Sequence, residues 1–135
     1  MSNVINISKF YSKNNEENGM WMEPKVRGVG VGFEVKVYGP NSTTAAIAQD
    51  KYQKAKDEIN KIEDIKAKNE ATDKMLAEYA ASLVCDIRGK DGNKLVNDDG
   101  SEVTVKDIQT ILYNAPIIAS DIARFETNQN NFLSN

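Results

Sequence analysis

Residues 43–62 read TTAAIAQDKYQKAKDEINKI and decide the fold class of this 135-residue chain. Their apolar side chains recur at alternating spacings of three and four residues, the period of one helix face. Acidic residues precede basic ones by four positions on the other faces, as in Asp50 and Lys54, an arrangement that favours a solvated helix. We call the apolar stripe the seam; its members are Ala45, Ala48, Tyr52, Ala55, Ile59 and Ile62.

A broader apolar stripe follows the seam and predicts a core-facing helix that ends at Gly89, with Arg88 in its last turn. The sequence leaves open whether residues 43–88 form one helix or two. A bend or break near residues 69–72, with Thr72 as the cap, is favoured because the seam lapses before it. The members of the second stripe are Met75, Leu76, Tyr79, Ala80, Leu83, Val84 and Ile87.

Two shorter helices are predicted near the C-terminal end. Residues 104–107 (TVKD) resemble a capping box with Asp in place of Glu, and Val103 and Ile108 stand where a hydrophobic staple would. Pro116 stops this helix and can serve as the first residue of another, which runs to about Thr127.

The N-terminal part of the chain has a different pattern. Residues 25–38, KVRGVGVGFEVKVY, alternate in polarity and predict one half-buried strand. Its glycines lie within the alternation and not in a strand-to-helix turn, so a phosphate-binding loop is rejected. Residues 1–24 are polar with scattered apolar side chains and predict a flexible arm. The alternative is an arm that docks on a partner or a neighbouring subunit through Trp21.

The predicted fold class is therefore mainly α with a small N-terminal β element. A flexible arm (residues 1–24) precedes a single domain of about four helices (residues 25–128), which includes the strand at residues 25–38. A polar tail (residues 129–135) ends the chain.

The composition argues against catalysis and metal binding. The chain has no histidine, which removes His-activated nucleophiles and His-containing zinc sites. Cys85, the single cysteine, is predicted near a helix C-terminus, where a thiolate is disfavoured. The acidic loop at residues 89–102 has Leu95 where an EF-hand needs a ligand and Val96 where it needs glycine. We predict no enzyme, no catalytic residue, no cofactor, no metal and no small-molecule substrate.

Net charge and hydropathy exclude further classes of binding partner. A net charge of −3 disfavours nucleic-acid binding, which needs a basic face. No apolar run is long enough to span a membrane, and residues 1–10 do not resemble a signal peptide. One cysteine suits a reducing cytosol. These observations leave protein binding as the expected role.

The order of features from residue 38 to residue 132 resembles that of one family. Its members show a G-x-x-S turn, a charged helix, and a second helix ending in hydrophobic-hydrophobic-x-Asp/Gly-Trp-Arg/Lys-Gly. An acidic Asp-Gly loop, a capped helix reaching Leu-x-x-x-Pro, and a last helix with a terminal aromatic and Asn-Phe follow. Ile87 stands where the family usually has Trp, and the loop at residues 89–103 is longer. The matching features are residues 39–42 (GPNS), 83–89 (LVCDIRG), 91–92 and 99–100 (DG), 104–107 (TVKD), 112–116 (LYNAP), Phe125 and 131–132 (NF).

The family is that of the tail assembly chaperones of long-tailed bacteriophages. The resemblance implies a protein of the bacterial host cytoplasm that binds the tape measure protein while tail tube subunits polymerise around it. It further implies absence from the finished virion, and often a longer frameshifted form. The competing interpretation is a structural virion subunit, such as a tail, connector or decoration protein, whose N-terminal arm interlocks neighbours.

A chaperone of a long helical client needs an apolar helix face that exchanges self-association for client contacts. The seam is the first candidate, and the alternative is that it packs on the predicted helix of residues 75–87. The arm and the unpaired edge of the predicted strand are further candidates. The predicted protein-binding residues are Ala48, Tyr52, Ala55, Ile59 and Ile62 of the seam, and Trp21 of the arm.

Overall fold

The computed structural model of the protein describes residues 3–134. The strands within these residues are β1 (Met20–Met22), β2 (Lys25–Val26), β3 (Val29–Gly30), β4 (Phe33–Val37) and β5 (Val84–Gly89). The helices are α1 (Lys13–Asn18), α2 (Thr43–Ile59), α3 (Ile65–Ser82), α4 (Ile108–Asn114) and α5 (Pro116–Thr127), with single 3-10 turns at Ile7–Phe10, Lys90–Gly92, Val105–Asp107 and Gln129–Phe132. With 56% of the described residues helical, one three-stranded sheet and one two-stranded hairpin, the fold is mixed α/β and mainly helical.

The sheet has three antiparallel strands in the order β1-β4-β5. Its middle strand places Val35 and Val37 on a buried face, where they join a core built with α3, α4 and α5. The other face carries Trp21, Lys36 and charged residues of β5. The β element is therefore not confined to the N-terminal part of the chain, because its third strand comes from the middle of the sequence.

The single strand predicted at residues 25–38 is wrong, since that segment folds into three short strands. Arg27 and Gly28 both have positive φ, 54° and 79°, as the two-residue turn of a tight hairpin requires. This turn joins β2 to β3, which pair only with each other. Gly32, with φ of 85°, then redirects the chain into β4.

The break between the first two long helices lies at residues 60–64 and not at residues 69–72. Ser42 caps α2, its hydroxyl oxygen accepting from the Ala45 amide at 3.1 Å. Asp64 caps α3 in the same way, accepting from the Ala67 amide at 2.9 Å. Thr72, the predicted cap, lies inside α3 and donates its hydroxyl to the Lys68 carbonyl at 2.8 Å. The boundary between α2 and α3 is therefore set by the cap residue Asp64, which the periodicity of the apolar residues did not reveal.

The prediction that the second helix continues to residue 88 is also wrong. The helix α3 ends at Ser82, and residues 84–89 form β5. The register shifts between Lys36 and Val37, so Cys85 is an extra residue in β5. This bulge brings Val84 and Ile87 to the same face of the sheet, although they are three residues apart. A three-residue spacing is also the spacing of a helix face, which is why the sequence pattern was misleading.

The flexible arm predicted at residues 1–24 is wrong for its second half. Residues 13–18 form α1 and residues 20–22 form β1, which pairs with β4. The side chain of Glu16 is buried and accepts from the Asn41 amide at 2.9 Å and from the Ser12 hydroxyl at 2.7 Å. These contacts tie α1 to the start of α2.

The polar tail predicted at residues 129–135 joins the fold over the part that the structure describes. Phe132 is fully buried, with its ring 5.5 Å from that of Phe125. Its carbonyl accepts from the Asn15 side-chain amide of α1 at 3.0 Å. The helix α1 and the tail are therefore in contact, and one buried aromatic side chain holds the described part of the tail in place.

Candidate protein-binding surfaces

The seam lies at the interface between α2 and α3. Its residues Ala45, Ala48 and Ile59 are at most 9% exposed, and Tyr52, Ala55 and Ile62 are half-buried. The Tyr52 ring packs on the Tyr79 ring of α3, with 5.0 Å between the centroids. Four of the five seam residues predicted to bind a partner thus share one face of α2, which packs against α3, and the fifth, Ile62, follows the helix in the connection of residues 60–64.

Trp21, the predicted anchor of the arm, lies on the outer face of the sheet. The guanidinium carbon of Arg88 sits 3.7 Å from the centroid of the indole, and the Lys36 ammonium sits 5.9 Å from it. Arg88 also donates to the Glu34 carboxylate at 3.0 Å. The indole is half-buried beneath this cation, as expected for a cation–π contact. The structure does not bring Trp21 near the seam residues with which the sequence grouped it.

A charged contact links the chain after β1 to the end of β5. The Lys90 ammonium donates to the Glu23 carboxylate at 3.0 Å, and the Gly32 amide donates to the same carboxylate at 3.0 Å. These two hydrogen bonds hold the pKa of Glu23 below its usual value, and the Glu23 bond raises the pKa of Lys90. The pair fixes the bend before β4 at a solvent-exposed position.

Residues 4–11 form the most exposed apolar segment, which we call the apolar arm. Its five large apolar side chains are between 56% and 94% exposed. The base of the arm is held, because the Tyr11 carbonyl accepts from the Ser134 amide at 2.8 Å. The sequence shows that these apolar side chains are present, but it does not show that they are exposed to solvent in the folded protein. They are Val4, Ile5, Ile7, Phe10 and Tyr11.

A groove of about 630 Å³ runs between the N-terminal half of α3 and α4; we call it the helix groove. Its floor carries the small side chains of Ala67, Ala71 and Ala77, and Tyr113, which is 42% exposed, stands at one wall. The remaining lining residues are polar or charged: Glu70, Lys74, Lys106, Gln109 and Thr110. Sequence reasoning missed this surface, although the alanines at positions 67 and 71 lie four residues apart on one helix face.

A second groove, of about 570 Å³, lies beside the free edge of β5. We call it the sheet-edge groove. Apolar side chains of the sheet, of α4 and of the loop after β5 line it, and Asp98 lies at its rim. The acidic loop at residues 89–102, whose sequence does not fit an EF-hand, thus forms one wall of an apolar groove. The apolar lining consists of Phe33, Ile87, Leu95, Val96, Val103, Ile111 and Ala115.

Two carboxyl groups are buried near one another, on α1 and α5. Glu126 is fully buried, and its Oε2 accepts from the Tyr79 hydroxyl at 3.5 Å. Its Oε1 has no hydrogen-bond partner among the described residues. Burial raises the pKa of Glu126, Tyr79 opposes this by donating to it, and the charge of Glu16 raises it further. Glu126 lines neither of the two grooves described above.

The Cys85 thiol lies in the bulge of β5, 3.6 Å from the Lys36 carbonyl. Within residues 3–134, no group of three His, Cys, Asp or Glu side chains could hold a metal ion. None of the helices in that range is long and apolar enough to cross a membrane.

Comparison of the chain with models of known protein families, with curated proteins and with solved structures finds no match. Its function must therefore be inferred from its own residues and surfaces.

Proposed function

We propose that this protein is a tail assembly chaperone of a long-tailed bacteriophage. In this proposal it binds the tape measure protein, and tail tube subunits where they meet it, in the cytoplasm of the bacterial host. It leaves before the virion is complete. The phage assignment rests on the family resemblance that spans residues 38–132. The observation that carries the binding role is the helix groove.

The features behind the resemblance coincide with elements of the fold. Ser42 of the G-x-x-S turn caps α2, and residues 83–89 form the edge strand β5 in place of a helix end. In the TVKD segment, the Thr104 amide donates to the Asp107 carboxylate at 2.9 Å. Phe125 and Phe132 pack on each other in the core. Each of these features therefore has a structural role in this chain, and their order along the sequence is what supports the proposal.

The helix groove suits a helical client. Small side chains on its floor allow a second helix to approach closely, and interaxial distances of about 8–10 Å depend on such residues. An amphipathic helix laid in a groove is a recurrent mode of peptide recognition. Tyr113 at the wall is an amphipathic aromatic residue of the type enriched in binding hot spots. Binding there leaves the seam intact inside the domain.

Co-expression with the tape measure protein encoded in the same genome tests this proposal. We expect the chain to raise the soluble fraction of that protein and to copurify with it. Ala71→Glu places a charge on the floor of the groove and should abolish copurification. Ala46→Glu makes the same change on the exposed face of α2 and should leave it unchanged. Thermal melting of both variants checks that each one folds.

Two outcomes contradict the proposal at different levels. If the unaltered chain neither solubilises nor copurifies the tape measure protein, the chaperone function is wrong. If folded Ala71→Glu binds as well as the unaltered chain, the function stands and the helix groove is not the client site.

The exposed apolar arm favours a second candidate function, a structural subunit of the virion whose arm interlocks neighbours. Quantitative mass spectrometry of purified phage particles separates the two functions. Stoichiometric presence supports the structural subunit and overturns the chaperone. Absence from particles that were assembled in its presence supports the chaperone.

A further inference from the structure

We infer that the apolar arm of one chain binds in the sheet-edge groove of a second copy. This arm exchange is an interaction of the protein with itself, and it does not depend on which client the helix groove takes.

The first argument is the exposure of the arm. Five of its eight residues are large and apolar, and more than half of each side chain is exposed to solvent. Burying such side chains against another apolar surface is favourable, because it removes that surface from water. A contiguous apolar segment on the surface of a small protein marks an interaction site. Because the arm is exposed in its own chain, it does not occupy the groove of that chain.

The second argument is the match in chemistry between the arm and the groove. The floor of the sheet-edge groove is made of Phe33, Ile87 and Ile111, and Val96 at its rim is 54% exposed. Its volume of about 570 Å³ falls in the range of binding pockets that accept several apolar groups, roughly 300–1,000 Å³. The aromatic pair Phe10 and Tyr11, together with Ile7 before it, supplies apolar side chains that suit such a floor.

The third argument is charge. The apolar arm (residues 4–11) contains Lys9 and no acidic residue. Residues 94–103, the loop that borders the groove, contain three carboxylates and one lysine, and of these Lys94 and Asp98 line the groove itself. The Asp99 carboxylate accepts from the Ser101 hydroxyl and amide, which lowers its pKa and keeps it charged. A basic arm therefore meets an acidic wall.

Charge also distinguishes the two grooves. The helix groove is lined by Lys74 and Lys106 against the single carboxylate of Glu70. Like charges disfavour the approach of an arm whose one charged side chain is Lys9. The arm is thus directed to the sheet-edge groove, and the helix groove stays free for a client.

A reciprocal exchange provides enough interface for a stable dimer. In a two-fold dimer each arm binds the partner's groove, so every contact occurs twice. Phe and Tyr bury about 150–250 Å² each. Two arms with their aliphatic residues therefore bury more than about 1,000 Å², the lower limit for a specific interface.

Analytical ultracentrifugation over a dilution series measures the exchange. We expect a dimer whose dissociation constant rises with ionic strength, since salt screens the lysine–carboxylate contacts. Phe10→Asp in the arm should weaken it by about 30-fold or more, the effect of losing a hot spot. Ile47→Asp, on the exposed face of α2, is the matched control and should dimerise like the unaltered chain.

Complementation identifies the groove. A chain lacking residues 1–11 keeps the groove and loses the arm, whereas Val96→Asp with Val103→Asp keeps the arm and loses the groove. Each should be monomeric alone, and their mixture should form a one-to-one complex through the remaining arm and groove. Reversing charge in the arm (Lys9→Glu) should weaken dimerisation, and Asp98→Lys in the partner groove should restore it.

The inference is overturned if the unaltered chain stays monomeric at every concentration, or if the chain without residues 1–11 still dimerises. A dimer that survives in the groove variant shows that the arm binds elsewhere, which also overturns it. These outcomes are independent of copurification with the tape measure protein.

Discussion

The ring of Tyr52 packs on the ring of Tyr79 with 5.0 Å between centroids and 53° between planes, and this contact joins α2 to α3. Such tilted aromatic pairs contribute about 0.5–1.5 kcal/mol beyond the area they bury. The contact places the seam within the fold, so the seam's first role is to hold two helices together.

The double substitution Ile59→Asp with Ile62→Asp should therefore destabilise the domain. Ile59 is 9% exposed, and a carboxylate placed there loses its hydration without a partner. We expect a loss of at least about 3 kcal/mol in the free energy of unfolding, measured by chemical denaturation. Ile47→Asp, on the exposed side of α2, is the control. A double variant of unchanged stability that no longer associates would restore the seam as a binding face.

Glu126 should make the protein less stable as pH rises. Its folded-state pKa is raised above the unfolded value, chiefly by burial, so the neutral acid is the form that the fold accommodates. The stability from this group is complete below the unfolded pKa, and it is lost as pH rises through the folded pKa. Tyr79 and Glu16 are the titratable groups facing it, and Tyr79 itself ionises only in more alkaline solution, since burial raises its pKa.

Glu126→Gln should flatten this pH dependence. The amide has a similar shape and no charge, so we expect a gain of about 1 kcal/mol at neutral pH. Melting curves between acidic and neutral pH measure it. Glu78→Gln, at an exposed position of α3, should change neither the melting temperature nor its pH dependence. An unchanged pH profile in Glu126→Gln would show that another group is responsible.

Gly89→Ala should be strongly destabilising. A Cβ atom at residue 89 would lie 1.7 Å from the Asn93 carbonyl oxygen, which is backbone and cannot rotate away. We expect a cost of about 2–3 kcal/mol, as for an overpacked site. Gly30→Ala is the comparison, because the atoms nearest to its new Cβ belong to the Glu23 side chain, which can shift at the cost of its bonds to Lys90 and Gly32, so we expect a smaller loss. Equal denaturation midpoints for the two variants would contradict this account.

The fluorescence of Trp21, the single tryptophan, should report the contact with Arg88. Arg88→Ala uncovers the indole and should shift its emission to longer wavelength, with a loss of about 0.5–1 kcal/mol in stability. Lys36→Ala, which removes the more distant cation, should have the smaller effect. If both variants keep the original emission maximum, Arg88 does not cover the ring in solution.

The helical part of the fold could largely be predicted from the sequence. The Thr104 amide donates to the Asp107 carboxylate, as the predicted capping box requires, and Pro116 begins α5 as predicted. These features could be predicted because a cap or a proline acts on backbone groups within a few residues. The boundary at Asp64 was missed because the periodicity of the apolar residues received more weight than a nearby capping side chain.

The candidate binding sites were harder to predict from the sequence. Four of the five seam residues lie on one face of α2 as predicted, and Ile62 lies beyond its end, but the sequence could not show whether that face was occupied. Both grooves combine residues from distant segments, such as Ala71 with Tyr113 and Phe33 with Ile111. No spacing along the chain encodes such pairs.

The sequence by itself determined that most of the chain is helical, and where apolar faces run along its two long helices. It also set several helix ends, because local hydrogen bonds and side-chain periodicity operate over one or two turns. Tertiary structure alone decided that residues 84–89 become a strand, that residues 13–22 pack on the domain and that the seam is filled by α3. Those outcomes depend on pairing between segments far apart in the chain, such as β5 with β4, where a single bulge at Cys85 turns a helical spacing into one face of a sheet.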